Sequence, residues 1–331
     1  MPGNRRGFPQ KISRRVQLLN LVESSQHQIE IPRVHDLNTL EVILDGEIVV
    51  GTAAALAVPA ESPAQLLQRV DLVANGKDVL EQIPYTIAVH GNFPRRFDAE
   101  VTQPGTTVAT HPFRAVAFLD RVVPDSLRPK DTAFKAFNTN LLQMLITTGQ
   151  ASDILDPDAT TTLTLQNTTI EVVAHSLLED PEGDRDEAKV VRKRTLQTET
   201  FTGSNNNLRV KLPTGNKIRF VQVHALDDAG GNFFDPTDAL INSMSVAIDG
   251  VDVRHNLTYG ATRSANRSRW GIAPPAGFAL ADSVAENELA KMTNYWDLRR
   301  ASLAELVIDH AAPTGNGRIE VVIDEYIGVP D

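Results

Sequence analysis

The sequence predicts an all-β protein made of two tandem copies of one sandwich or barrel module. Three observations predict it: many short strand-like segments punctuated by turn dipeptides, helix-type patterning confined to short stretches, and colinear repeats between the two halves.

In chain order, the first segment, residues 1–22, contains Arg5, Arg6, Lys11, Arg14 and Arg15 and no acid. It reads as a basic N-terminal arm, drawn here as residues 1–27. Its apolar residues Val16, Leu18, Leu19, Leu21 and Val22 do not form the continuous stretch and cleavage site of a secretory signal. Leu40, Val42 and Leu44 then alternate at period two, and residues 48–50 form an apolar run. Further strand-like segments are residues 70–74, 163–173, 208–212, 218–223, 244–248 and 319–323, most of them rich in β-branched residues. Asn75-Gly76, Asp249-Gly250 and Asp45-Gly46 are dipeptides that supply the positive φ of tight hairpins. Helix is expected only at residues 62–68, in part of 132–146, and at 285–292.

The repeats carry most of the information. LLQRVDLVANGKDVLEQIPY (66–85) lies without a gap over LINSMSVAIDGVDVRHNLTY (240–259), with Leu66/Leu240, Gly76/Gly250, Asp78/Asp252, Val79/Val253 and Tyr85/Tyr259 identical. Each half therefore encodes an apolar-alternating strand, an Asn-Gly or Asp-Gly turn, and a returning strand. Residues 115–146 lie over 277–308, placing Phe134 on Trp296, and an IEVV strand closes each half at 170–173 and 319–322. Ahead of these, Leu40, Val42 and Leu44 lie over Leu208, Val210 and Leu212. Matches in one order, with spacings that change only between them, are expected of a duplicated fold with unequal loops. The modules are drawn as 28–178 and 199–331. Between them, 179–198 reads as a linker, with six acids followed by a basic cluster and broken by Pro181 and Gly183.

Composition bounds the function. The 331 residues are 41% hydrophobic but only 5% aromatic, so the core is aliphatic. With no cysteine, disulfides, thiolate metal sites and cysteine nucleophiles are excluded. The 32 basic and 42 acidic residues give −10, which argues against a whole-surface nucleic-acid binder. The arm contributes +5, so the rest of the chain carries −15. For the arm three readings stand: a solvated tail, a contact with phosphate of lipid or nucleic acid, and docking on a neighbouring subunit.

No cofactor, metal or catalytic set is expected. The His-x-His strand of a two-module cupin is missing, since no two of the eight histidines lie within four residues of each other. GxSxG, HExxH, GxxxxGK[ST] and GxGxxG are absent too. Asp227-Asp228 and the pair Asp156 and Asp158 read as loop acids. The run Asp180, Glu182, Asp184, Asp186 and Glu187 lacks the ordered twelve-residue calcium loop.

The basic arm, the two colinear modules, and the paired segments QLLQRVDLVANGKDVL and ALINSMSVAIDGVDVR together resemble the double jelly-roll major capsid proteins of tailless, internal-membrane icosahedral bacteriophages of the corticovirus and tectivirus type. DTAFKAFNTNLLQMLI and NYWDLRRASLAELVI, each leading to IEVV, add to the likeness. The resemblance implies two tandem eight-stranded jelly rolls and no enzymatic activity. It implies a homotrimer of pseudo-hexagonal outline in the virion shell, assembled in the host cytoplasm, with other capsid proteins such as a vertex penton as partners. The arm would face anionic lipid headgroups of an internal membrane, without sequence-specific nucleic-acid binding. The candidate outer loops, residues 94–112 and 262–277, are modest, which leaves host attachment to a separate spike. The alternative is a two-domain β-sandwich carbohydrate-binding or adhesin protein, which would expose aromatic rings for stacking on sugars.

Overall fold

The computed structural model describes residues 11–96, 98–122, 133–177, 191–229, 231–284 and 294–328. Each half contributes eight principal strands. In the first they are β1 (Lys11–Asn20), β2 (Gln26–Glu30), β3 (Asp36–Gly51), β4 (Leu67–Ala74), β5 (Asp78–Ile83), β6 (Thr110–Asp120), β7 (Leu142–Thr148) and β8 (Thr162–Leu177). In the second they are β9 (Val191–Phe201), β10 (Asn205–Lys211), β11 (Lys217–Asp227), β12 (Ile241–Ile248), β13 (Asp252–Thr258), β14 (Phe278–Asp282), β15 (Ala304–His310) and β16 (Gly317–Ile327). A helix follows the fifth strand of each set: α1 (Tyr85–His90) and α2 (Tyr259–Trp270).

The pairing order is that of a jelly roll, twice. β1-β8-β3-β6 faces β2-β7-β4-β5 in the first module, and β9-β16-β11-β14 faces β10-β15-β12-β13 in the second. Period-two alternation sends Leu40, Val42 and Leu44 of β3 inward against Ile170 and Val172 of β8. In the second module Val221 and Val223 of β11 and Val321 and Ile323 of β16 fill the corresponding core.

The repeats resolve into equivalent strands. The 66–85 and 240–259 segments are the β4–β5 and β12–β13 hairpins. Their turn residues Asn75, Gly76, Asp249 and Gly250 all have positive φ, the type I′ geometry that matches strand twist. Each turn is latched to the start of its seventh strand. Asn75 Oδ1 accepts from the Asn140 N–H, and Asp249 Oδ1 accepts from the N–H groups of Ser302 and Leu303. Phe134 and Trp296 are likewise equivalent, bridging Leu37 and Ile218 at the start of the third strand of each module.

Several expectations are corrected. Leu40 to Leu44 belong to β3 but Leu208 to Leu212 to β10 and the turn after it, so that match overlays a third strand on a second one; the true counterpart of β3 is β11. Asp45-Gly46 is no turn. It lies inside the 16-residue β3 opposite a bulge in β8, and a Cβ on Gly46 would come within 2.5 Å of Thr168 Oγ1. The glycine therefore serves close strand approach. Residues 132–146 hold only the 3₁₀ turn Ala136–Asn138 before β7, and 62–68 only the 3₁₀ turn Ala64–Leu66. Residues 262–277 are mostly α2, capped by Thr258 Oγ1 at one end and by Gly271 at φ 76° at the other. The drawn arm, 1–27, contains all of β1 and the start of β2, and the drawn linker runs into β9. The expected helix at 285–292 and the acidic run at 180–187 lie outside the described residues.

Candidate assembly site

The two modules meet along one sheet. β5, the edge of the first module, pairs in parallel with β9, the edge of the second, through Arg194 and Glu81, and the four-stranded sheets fuse into one continuous layer. Parallel pairing of equivalent-sense strands stands both sandwiches upright in the same direction. The outer face of the second module's β9-β16-β11-β14 sheet then packs on the first module. Phe220, Phe278, Leu280 and Val322 belong to the first module's core, although their strand neighbours Val221, Ala279 and Val321 belong to the second's. Residues Lys217 to Leu226 of β11 are accordingly buried on both faces.

Charge is buried in this junction and is paired. Glu81, 0% exposed, lies 2.6 Å from Arg121 Nη2 and 2.5 Å from Arg194 Nε. Arg192 grips Asp324 with two hydrogen bonds of 2.8 and 3.0 Å and donates to the Asp120 carbonyl of the first module at 2.8 Å. Farther along, His224 of β11 sits between Glu61 of the first module and Glu320 of β16, at 3.0 Å from each, with its ring stacked on Phe278. Complete burial opposes the charged imidazole, but the two carboxylates outweigh it and hold its pKa at about 9. Burial likewise opposes the Glu61 carboxylate, yet His224 holds its pKa below the usual value. An open cavity of about 350 Å³ adjoins this triad, lined in part by Gln65, Asp153, Phe234 and Arg318.

The residues singled out from the sequence lie elsewhere. Arg5 and Arg6 fall outside the described residues. Lys11, Arg14 and Arg15 are exposed on the edge strand β1, and Arg15 pairs with Glu171 of β8 at 2.6 Å. Register places the start of β1 beside the end of β8 (Lys11 with Leu177) and the start of β9 beside the end of β16 (Val191 with Ile327). The chain's N-terminal arm, the inter-module connection and the C-terminus thus leave from one end of the molecule, the end that also carries the Asn75-Gly76 and Asp249-Gly250 turns. The loop acids act as backbone acceptors: Asp227 takes the N–H groups of Ala229, Thr314 and Gly315, and Asp158 those of Thr160 and Thr161.

The junction charges were missed in the sequence, although one signal was there. KIRFVQVHAL lacks the alternation of a one-sided strand, as a strand buried on both faces does. Both tryptophans and all four tyrosines are buried, so none offers an exposed ring to a sugar.

No protein-family model and no curated protein matches the sequence. Solved structures do match. The chain is similar to the STIV MCP (TM-score 0.75, 16% identity, covering 96% of this chain and 97% of that one). It is similar to a chain of Sulfolobus Turreted Icosahedral Virus (TM-score 0.74, 15% identity, 96% and 91%). It is also similar to the major capsid protein P2 of bacteriophage PM2 (TM-score 0.60, 13% identity, 97% and 98%). Likeness over nearly the whole of each chain at this identity establishes the double jelly-roll fold.

Proposed function

We propose that this chain is the major coat protein of an icosahedral virus, with a structural and non-enzymatic role in the virion. Three copies form a pseudo-hexagonal trimer, and trimers tile a shell over an internal membrane, with a separate penton at the vertices. The observation that carries the reading is the fusion of two equivalent jelly rolls, upright in the same sense, through the β5–β9 sheet junction. Two like modules side by side make one third of a six-module ring and present two non-identical lateral faces, which suits a hexagonal net. The similar structures, bacteriophage PM2's capsid protein among them, support it.

The test is assembly. Sedimentation of the purified chain is expected to give a stable trimer; monomer at every concentration overturns the reading.

The arm belongs to the same proposal. Arg5 and Arg6 precede the exposed Lys11, Arg14 and Arg15 at the end from which the termini leave. Such a cluster attracts anionic headgroups by about 1 kcal/mol per basic side chain close to a membrane. Deleting residues 1–10 spares β1, whereas deletion to Arg15 would remove half of it. The shorter deletion is expected to leave the trimer intact and to weaken binding to phosphatidylserine vesicles at low salt. Unchanged, salt-insensitive binding excludes the membrane role.

A further inference from the structure

Three adjacent strands of the first module bring a serine, a histidine and a glutamate into one hydrogen-bonded relay: Ser13 of β1, His175 of β8 and Glu41 of β3. Ser13 Oγ lies 2.7 Å from His175 Nδ1, and His175 Nε2 lies 2.9 Å from Glu41 Oε2. An ionised carboxylate only accepts, so the proton of the neutral ring sits on Nε2 and Nδ1 presents its lone pair. Ser13 is therefore the donor to Nδ1. At two other hydroxyl–imidazole contacts the hydroxyl gives its proton to the backbone instead. Ser25 Oγ, 3.2 Å from His27, donates to the Val22 carbonyl, and Thr262 Oγ1, 3.1 Å from His255, donates to that of Thr258. Ser13 is exposed, whereas the side chains of His175 and Glu41 are only 12% and 21% exposed, so the hydroxyl is accessible and its base is shielded. The fold does not demand this set. Registering β8 on β16 through IEVV puts Arg194, Asp324 and Gln222 of the second module at the positions of Ser13, His175 and Glu41, with neither nucleophile nor imidazole among them.

We infer that Ser13 is an activated nucleophile, the site at which this chain takes up an acyl group from a carboxylic ester that carries negative charge. Ser13 Oγ bonds to the ester carbonyl carbon as its proton passes to His175 Nδ1. The bond from that carbon to the alcohol oxygen then breaks, the alcohol leaves with the proton, and Ser13 keeps the acyl group as a new ester. Glu41 is a positioning residue: it holds the ring in the accepting tautomer and offsets the charge of the imidazolium that forms. Lys11 and Arg15 lie two residues to either side of Ser13, on the same face of β1 and both exposed. There they stabilise the oxyanion of the tetrahedral intermediate and draw an anionic donor. The step modifies the chain and leaves its structural role in the coat untouched.

A fluorophosphonate reagent tests this on the full chain, because it reports activated hydroxyls: Ser13 Oγ bonds to phosphorus, fluoride leaves, and the proton passes to His175. The wild type is expected to label at Ser13, Ser13→Ala to stay unlabelled, and His175→Gln to label more slowly by about a hundredfold or more. Ser13 is exposed on an edge strand, so the alanine variant is expected to keep the far-ultraviolet circular dichroism and sedimentation of the wild type. Glu41→Gln separates a working relay from a surface hydrogen bond. The charged groups of this face are Lys11, Arg15, Glu171 and Glu41, with Arg95 stacked over Phe118 beside them, and the variant removes one carboxylate alone. The labelling rate, which rises as the imidazole loses its proton, is expected to fall, and its midpoint to move to lower pH. For the donor class, 4-nitrophenyl hydrogen succinate is expected to acylate Ser13 faster than 4-nitrophenyl acetate at low salt, with the advantage lost at high salt. No labelling of the wild type, labelling that survives in Ser13→Ala, or a pH profile that Glu41→Gln leaves unmoved overturns the inference. Equal rates for the two esters overturn the anionic donor. None of these results touches the coat-protein reading, which stands or falls on sedimentation.

Discussion

Replacing Glu81 by leucine is expected to lower the unfolding free energy by about 3–5 kcal/mol, because it leaves two buried guanidinium groups without their shared carboxylate. Arg121 and Arg194 are 1% and 5% exposed and lie within 2.6 Å of Glu81. The loss is therefore mainly the cost of stranded charge, and it divides from a simple packing defect by a second variant. Substituting all three, Glu81→Leu with Arg121→Met and Arg194→Met, is expected to recover most of the lost stability, as replacement of whole buried ion clusters by apolar groups of similar volume does. Urea unfolding at one fixed protein concentration measures both, since assembly shifts apparent stability by mass action. A Glu81→Leu midpoint equal to the wild type would mean that the modules are not held together through this cluster.

Replacing His224 by leucine is expected to cost a similar amount at neutral pH and to reverse the sign of the pH dependence on the acid side. In the wild type the native imidazole has a pKa of about 9 against an ordinary 6.5, so the folded state binds more protons than the unfolded state between those values. Its stabilising contribution is complete below pH 6.5 and is lost as pH rises through about 9. Glu61, held below its ordinary 4.5, acts oppositely: its contribution is present above that value and is lost as pH falls through its depressed pKa. Buried His90, lowered by desolvation and facing Glu61, also contributes above pH 6.5 and loses that contribution on acidification. The alkaline decline between pH 6.5 and 9 therefore belongs to His224, and His224→Leu should abolish it. The variant leaves Arg318 beside Glu320 at 3.3 Å but takes from buried Glu61 the imidazole that holds its pKa down, so burial then pushes the Glu61 carboxyl up. With its carboxyl pushed above the ordinary 4.5, Glu61 takes up a proton on folding, so on acidification toward that value the variant should gain stability relative to the wild type. Parallel pH profiles that differ only by a constant would rule out the coupling.

The hairpins were legible because every signal in them is local. Asn75-Gly76 and Asp249-Gly250 need positive φ, period-two apolar residues flank them, and no distant contact has to be known. The closing IEVV strands and the Phe134–Trp296 equivalence were legible for the same reason, each being a short pattern that recurs in order. Where two structures satisfied one local pattern, the sequence was ambiguous. Asp-Gly at 45–46 fits a turn as well as a strand lying close to Thr168. Leu208 to Leu212 alternates as β3 does, although it pairs as a second strand. Residues 142–148 became a strand because β2 and β4 flank them on both sides, a contact that no propensity records. In α2 the N-cap Thr258 and the closing Gly271 were present, but its polar face hid the helix period.

By itself, the sequence determined that the protein is two copies of one all-β module with a cationic N-terminal segment, since duplication, turn chemistry and net charge are all written in residue order. The tertiary structure alone decided how the copies join. Burial on both faces of β11, the sharing of Glu81 by Arg121 and Arg194, and the clamping of His224 between Glu61 and Glu320 arise where strands far apart in the chain meet. Charged residues at such positions look like surface residues until the second module lies on them, because the cost of burying them and the partners that offset it exist only in the assembled sheet. The structure also made the part of the expected basic arm from Lys11 onward a strand, because β8 presents an edge whose N–H and C=O groups β1 satisfies.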